Sequence, residues 1–429
     1  MPRICVIGTG YVGLVTATCF AELGHKVSCV DVDQAKVASL KAGIAPFYEP
    51  GLEPILQRHL RSGQIRVTND TAQGIQKADF VFFCVGTPST PSGQVDLSYL
   101  HLAYMNVKSA LGSARPIMVN KSTVPPGTAD MMAYLLSDLN HGHPAPPIVS
   151  NPEFLREGRA IDDFMKPSRV VVGANDRNAA KPVAALYEPL NAPLIITDTR
   201  TAEMIKYVSN AFLATKVSFI NEIAMLCERL SVNVADVSDG IGLDPRIARE
   251  FLNAGLGYGG SCLPKDTGVL QHIAYANNLT PGILTAVIDV NAGLPERLVE
   301  RIEAARGPLE GASVTVLGLA FKPNTDDIRY SPALALVEQL IERGARVRVT
   351  DPEAWPNCLK ILQDRVQFER DPYVAATGAD VVVLATEWAE YQQMDLHRLR
   401  SVMRGDLFVD GRIARSRSTV NAAGRISST

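Results

Sequence analysis

A thiol, an amine and a carboxylate fall together in Cys262-Leu-Pro-Lys265-Asp266, directly after Gly259-Gly-Ser. Small residues ahead of a thiol let a ligand approach the backbone closely, and a nearby ammonium favours the thiolate, the nucleophilic form. A cysteine alone is more often a small core residue, and Cys5, Cys29 and Cys84 in apolar strand-like runs carry that reading. The seven cysteines, at 5, 19, 29, 84, 227, 262 and 358, form no CxxC pair and no metal-ligand spacing, so no metal is expected. Cys262 alone stands in a glycine-rich loop.

Four further groupings could do chemistry. Gly8-Thr-Gly10-Tyr-Val-Gly13 follows an apolar run, and Asp31 ends the next one. The first glycine allows a turn, the second lets a pyrophosphate reach backbone amides, and the third lets a helix pack on a strand. An acid at the end of the second strand suits the ribose hydroxyls and repels a 2′-phosphate, so NAD is expected rather than NADP. Lys206 and Asn210 are spaced to share a helix face, either as a solvated polar patch or as part of a site. Glu153 and Glu157 lie within Asn151–Gly158, where two acids in a loop or first helical turn are more often surface residues. Phe251-Leu-Asn-Ala-Gly255-Leu-Gly-Tyr258-Gly259 is either a plain loop or one whose amides cradle phosphate.

The elements that must position these residues follow from periodicity. Strand, glycine turn, helix, strand and acid at Arg3–Asp31 form the opening of a dinucleotide-binding fold. More strands are predicted at Ile65–Thr68, Phe80–Val85, Ile117–Asn120, Pro147–Ser150 and Val170–Gly173, with helices between most of them. Thr201–Leu230 has no breaker and carries Ile205, Val208, Phe212, Val217, Ile220, Ala224 and Cys227 as an apolar stripe. That predicts one helix of roughly 45 Å, either a core helix or one linking lobes or subunits. A second α/β unit begins at Ser313, with strands at Val347–Thr350, near Val366, at Val381–Leu384 and at Leu407–Val409, and a helix at Leu334–Arg343. Residues from about Ala414 read as a frayed polar tail. The fold class is α/β: two Rossmann-like domains joined by a central helical region with a long helix. The boundaries fall at 1–198, 199–305 and 306–429. Such a division suits 429 residues with 46% hydrophobic content, since single cores rarely exceed roughly 250–300 residues.

The formal charge of −3 disfavours nucleic-acid binding. No apolar run approaches the roughly 20 residues of a membrane helix, and the N-terminus does not read as a signal peptide, so a cytoplasmic protein with no membrane partner is expected.

Six motifs in order extend these readings. They are the glycine loop with Leu14; Lys121-Ser-Thr-Val-Pro-Pro-Gly-Thr128; Asn151-Pro-Glu-Phe-Leu-Arg-Glu-Gly158; Lys206 to Asn210; Gly257-Tyr-Gly-Gly-Ser-Cys262-Leu-Pro-Lys-Asp266; and Gly318-Leu-Ala-Phe-Lys-Pro-Asn-Thr-Asp-Asp327. Through them nearly the whole chain resembles the UDP-glucose/GDP-mannose dehydrogenase family. The resemblance implies a homodimer that oxidises the sugar of a nucleotide sugar in two steps with two NAD. Phe251–Gly255 looks more like the UDP-glucose branch than the GDP-mannose branch.

The resemblance also implies roles. Cys262 is the nucleophile, Lys206 and Asn210 stabilise the oxyanion, Asp266 manages protons, and Glu153 is the base with Thr123 positioning water. Gly8, Gly10, Tyr11, Val12, Gly13, Asp31, Gly86, Thr87, Thr123, Lys265 and Arg329 contact the cofactor. Glu153, Glu157, Lys206, Asn210, Phe251, Leu252, Asn253, Gly255, Tyr258, Gly259, Lys322 and Arg412 contact the substrate, with Arg246 reaching a neighbouring subunit. Ile413 departs from the family pattern, which commonly has asparagine after this arginine. A hydroxy-acid dehydrogenase shares a similar glycine loop but needs no cysteine, and a non-catalytic NAD-binding scaffold would need none of Cys262, Lys206, Glu153 and Asp266.

Overall fold

The computed structural model describes residues 1–90, 93–137, 145–413 and 425–428. The chain divides into two compact units, Met1–Ser209 and Asn210–Thr429. The first is built on eight strands: β1 (Arg3–Ile7), β2 (Lys26–Val30), β3 (Ile65–Thr68), β4 (Phe80–Phe83), β5 (Ile117–Asn120), β6 (Ile148–Ser150), β7 (Val170–Gly173) and β8 (Leu194–Thr197). They lie in the order β3-β2-β1-β4-β5-β6-β7-β8. Every neighbouring pair is parallel except β6 and β7, which meet antiparallel at a single registered pair, Ser150 and Gly173.

Central strands such as Phe80-Val-Phe-Phe are wholly buried, as strands covered by helices on both faces must be. One apolar cluster, around Val6, Phe20 and Phe82, fills one face, and a second, around Cys5, Phe83 and Tyr104, fills the other. The predicted strands are present, two of them one or two residues shorter. β8 was not expected. It is an edge strand with Leu194, Ile195 and Ile196 exposed, so it lacks the buried pattern that marks the others.

The second unit holds six parallel strands: β9 (Ser313–Leu317), β10 (Arg346–Thr350), β11 (Gln367–Phe368), β12 (Val381–Leu384), β13 (Leu407–Asp410) and β14 (Arg425–Ser428). Their order, β11-β10-β9-β12-β13-β14, repeats that of β1–β6 in the first sheet. This is the doubly wound arrangement whose ligand crevice lies where the strand order reverses. β14 corrects the expectation of a frayed tail, since Arg425–Ser428 pairs in parallel with β13. An edge strand needs no apolar run, because ladder hydrogen bonds to one neighbour hold it. The rest of the expected tail lies outside the described residues.

The long helix runs Thr199–Arg229, close to its predicted bounds. Its apolar stripe is corrected. Ile220, Ala224 and Cys227 are buried, but Val208 and Phe212 are exposed. Met204, Val208, Phe212, Phe219, Leu226 and Leu230 instead form an exposed apolar face at spacings of four and seven. No helix among the described residues is long and apolar enough to cross a membrane.

Candidate active site

In the first unit β1 delivers the glycine loop to the start of the helix Tyr11–Glu22. Gly8 has φ +92°, and a Cβ there would lie 2.7 Å from the Cys84 carbonyl oxygen. At Gly13 a Cβ would lie 1.9 Å from the Gly8 oxygen, so helix and strand touch only because that position is bare. Gly10 differs: a Cβ there would meet no protein atom within 4 Å. The fold does not require that glycine, whereas a dinucleotide approaching the helix N-terminus does.

Asp31 sits one residue beyond β2 and is buried. Its Oδ2 accepts from Thr9 N (2.8 Å) and Thr9 Oγ1 (2.7 Å) and pairs with Lys36 Nζ (3.2 Å), while Oδ1 accepts from Asp33 N. Burial alone would raise this carboxyl, but the bonds from Thr9 and Asp33 and the Lys36 charge together hold it below its ordinary value. A carboxylate can take about four hydrogen bonds, so Oδ1 keeps capacity for a ribose hydroxyl.

At the ends of β5 and β6 lie two loops. Thr123 follows β5, and its carbonyl accepts from Thr87 Oγ1 (2.8 Å). Gly86 beside it is open. After β6, Glu153 Oε1 meets Lys206 Nζ of the long helix at 2.9 Å, with side chains 4% and 3% exposed. The other oxygen of Glu153 accepts from Leu155 N. The Lys206 ammonium also lies 5.5 Å from the Phe154 ring centre. At the far end of this loop Gly158 N donates to Tyr11 Oη and to Glu49, and Glu157 is half-buried near the Tyr11 hydroxyl.

In the second unit Cys262 is the N-cap residue of the helix Leu263–Ala276. Pro264 is tolerated in the first turn because its missing N–H would have no partner there. The helix N-terminus favours negative charge on the thiol. Cys262 is half-buried, while the other six cysteines are buried. Its sulfur lies 3.6 Å from Ser261 Oγ. Asp266, one turn along, is buried and accepts from Asn210 Nδ2 (2.6 Å) and Lys265 Nζ (2.5 Å).

Models of one family match three stretches of the chain. They are the UDP-glucose/GDP-mannose dehydrogenase NAD binding domain at residues 2–191, its central domain at 200–293 and its UDP binding domain at 315–416. The chain belongs to this family. It is an NAD-dependent dehydrogenase. A UDP-glucose 6-dehydrogenase of Rhizobium meliloti is 45% identical over 415 residues, spanning 95% of this chain and 94% of that one. The Bacillus subtilis UDP-glucose 6-dehydrogenase TuaD is 43% identical over 426 residues, spanning 99% and 92%. A solved UDP-glucose dehydrogenase from Pyrobaculum islandicum is 40% identical, with TM-score 0.94 over 99% of this chain and 97% of that one.

In this dehydrogenase several amides of the loop ahead of Cys262 have partners within the second unit. The sequence leaves that loop open, as a plain loop or as one whose amides cradle phosphate. Gly255 N donates to Asn221 Oδ1 (2.8 Å), Tyr258 N to Asn291 Oδ1 (2.8 Å) and Gly260 N to the Arg329 carbonyl (2.8 Å). A Cβ at Gly259 would lie 2.3 Å from the Tyr330 oxygen. Close packing within the second unit therefore accounts for Gly259, and three amides of the loop are already occupied. Leu252 is buried, Phe251 has φ +64° and is half-buried, and Asn253 is exposed.

The family resemblance implies that Arg412 reaches the sugar. Its guanidinium donates to the carbonyls of Ala385 (2.7 Å), Gly257 (3.0 Å) and Phe321 (2.9 Å), joining three loops. The Lys265 ammonium lies against Asp266. Lys322 lies over the Phe321 ring at 5.2 Å. Arg329 pairs with Asp327 at 2.7 Å, and Arg246, with its side chain 87% exposed, pairs with Asp244 at 2.6 Å. The sequence reading gave no role to Tyr187 or Glu49, and Lys121 and Asn151 entered it only within motifs. No spacing rule marks these residues, because their partners are 30 to 111 positions away.

Proposed function

We propose that this dehydrogenase oxidises UDP-glucose to UDP-glucuronate through covalent intermediates on Cys262. The observation that carries the reading is the single half-buried cysteine at a helix N-terminus, in a chain whose relatives at 43–45% identity are named UDP-glucose 6-dehydrogenases. Gly10, open where a pyrophosphate would lie, and Asp31, set for a ribose, are residues that fit NAD. NAD, when bound, takes up one hydride at each of two oxidations, alcohol to aldehyde and thiohemiacetal to thioester.

The protein's own groups do the rest. Cys262 Sγ adds to the aldehyde carbon while the carbonyl oxygen gains a proton, forming a thiohemiacetal. Lys206 and Asn210 stabilise the oxygen on which charge develops. After the second oxidation Glu153 takes a proton from water, which Thr123 helps to place. The water oxygen bonds to the thioester carbon, the C–S bond breaks, and the carboxylate leaves. The thiolate returns to Cys262. Asp266 orders Asn210 and manages the protons released. Tyr11, Val12, Gly13, Gly86, Thr87, Lys265 and Arg329 complete the cofactor contacts. Glu157, Phe251, Leu252, Asn253, Gly255, Tyr258, Gly259, Lys322, Arg412 and a neighbouring subunit's Arg246 hold the sugar nucleotide.

Residues 1–198 serve NAD, 199–305 the central helical region and 306–429 the nucleotide sugar. The exposed apolar face of the long helix supports a homodimer, and the protein works in the cytoplasm. Turnover is tested by supplying NAD with UDP-glucose, GDP-mannose or a UDP-N-acetylhexosamine and counting NADH per sugar. Two NADH per UDP-glucose is expected. One NADH, or turnover only with another nucleotide sugar, would overturn the assignment.

A further inference from the structure

The antiparallel junction of β6 and β7 is the weakest seam of the first sheet, with one registered pair. Side chains close it. Lys121, directly after β5, is buried, with Nζ 3.1 Å from Asn151 Oδ1, 3.4 Å from the Asn151 carbonyl and 3.2 Å from Tyr187 Oη. Tyr187 Oη donates to Asn151 Oδ1 (2.5 Å), and Asn151 Nδ2 donates across the seam to the Val171 carbonyl on β7 (2.8 Å). Asn151 N donates to Asn120 O (2.8 Å), and Lys121 N to Phe83 O (3.0 Å). One buried cluster thus stitches the ends of β4, β5 and β6 to β7.

Its position relative to the chemistry is specific. Thr123 is two residues after Lys121, and Glu153 is two residues after Asn151. Lysine is almost never fully buried unless paired, and an apolar side chain of similar length would fill the space without desolvating a charge. We propose that Lys121 is a positioning residue: with Asn151 and Tyr187 it holds the loop bearing Glu153 in register with the loop bearing Thr123. This rests on the reading of Glu153 and Thr123 as the groups that hydrolyse the thioester. Burial lowers the Lys121 ammonium to about 8, with Cys84 and Glu153 pulling upward and Lys206 downward, so the cation belongs to the same electrostatic neighbourhood as the Glu153 pair.

Misplacement by about 1 Å can cost on the order of 100-fold in rate. The test assays Lys121→Met with NAD and UDP-glucose, recording kcat, both KM values and the mass of the protein during turnover. Expected are a kcat lower by roughly 10- to 100-fold, KM values within about threefold, and a sugar-nucleotide adduct accumulating on Cys262. A kcat within about twofold of the parent, or a loss of kcat with no adduct, overturns the proposal.

Glu153→Gln, run in parallel, separates the two ideas. If it accumulates the adduct and Lys121→Met does not, the positioning role alone is wrong. If it keeps full kcat and shows no adduct, the hydrolysis reading falls and the positioning role with it. Should Lys121→Met not fold, Tyr187→Phe decides. A several-fold loss of kcat with adduct and unchanged KM supports the clamp, and an unchanged kcat overturns it.

Discussion

Seven thiols in one chain have different environments, and burial is what separates them. It pushes the Cys29 and Cys84 thiols up to about 12 and raises Cys5, Cys19 and Cys358 as well. Those five stay protonated at neutral pH, whereas Cys262 has solvent access and a helix N-terminus. Brief treatment of the native protein with iodoacetamide should therefore alkylate Cys262 first and abolish uronate formation. Peptide mapping checks the site, and first labelling at another cysteine would contradict it. Cys262→Ser should bind NAD normally by fluorescence titration yet release no uronate.

The same scale governs Glu153 and Lys206. Removing one partner of a buried pair leaves an uncompensated charge, so Lys206→Ala should lose about 3–5 kcal/mol of unfolding free energy together with activity. Lys206→Met with Glu153→Gln should regain part of that stability but none of the activity. Additive losses in a denaturant series would show that the pair is not coupled.

At the scale of elements, the long helix is tied to the sheet through Glu203. Its buried carboxyl accepts from Gly127 N (2.7 Å), Ala129 N (3.1 Å) and Ser150 Oγ (2.8 Å), joining the helix to the start of Thr128–Ser137 and the end of β6. Burial raises this carboxyl from 4.5 to about 7, against the pull of those bonds. Between those values the native state holds a proton that the unfolded chain has released. The stabilising contribution is complete below about 4.5 and is lost as pH rises through about 7, on the order of a few kcal/mol. Denaturant midpoints measured from pH 5 to 8 should fall more steeply for the parent than for Glu203→Gln. Equal slopes would refute this. β14 likewise covers β13, whose residues are all buried. Ending the chain at residue 413 should lower the melting temperature of the second unit, measured by calorimetry.

At the scale of the whole molecule, the two sheets share the order of six strands but differ at the ends of their first two strands. Gly8 and Gly318 both follow a first strand with φ near +90°, and an aspartate follows each second strand, Asp31 and Asp351. Asp351 accepts from Leu319 N, Ala320 N, Glu353 N, Ala354 N and Trp388 Nε1, which fills its acceptor sites from within the fold. Asp31 retains room for a ribose, and only its loop carries a second glycine, Gly10. The exposed apolar face of the long helix, with Phe212 64% exposed, is also a property of the whole molecule. The homodimer proposed above should be lost in Phe212→Asp, read by sedimentation velocity, and a monomeric parent or an unchanged dimer in the variant would refute that use of the face.

By itself the sequence determined the buried strands, the long helix, the dinucleotide loop and which cysteine stands outside the core. Strand burial writes apolar runs, turns demand glycine, and a long unbroken apolar period can only be a helix, all of which are local and legible. Tertiary structure decided what depended on distant partners. It turned Val208 and Phe212 outward, paired Lys206 with Glu153 and Asn210 with Asp266, directed the Arg412 guanidinium to three carbonyls, and paired β14 with β13 in what read as a tail. A side chain's type limits what it can bond to. Which partner it meets depends on where chain segments far apart in sequence are brought together, and no local periodicity records that.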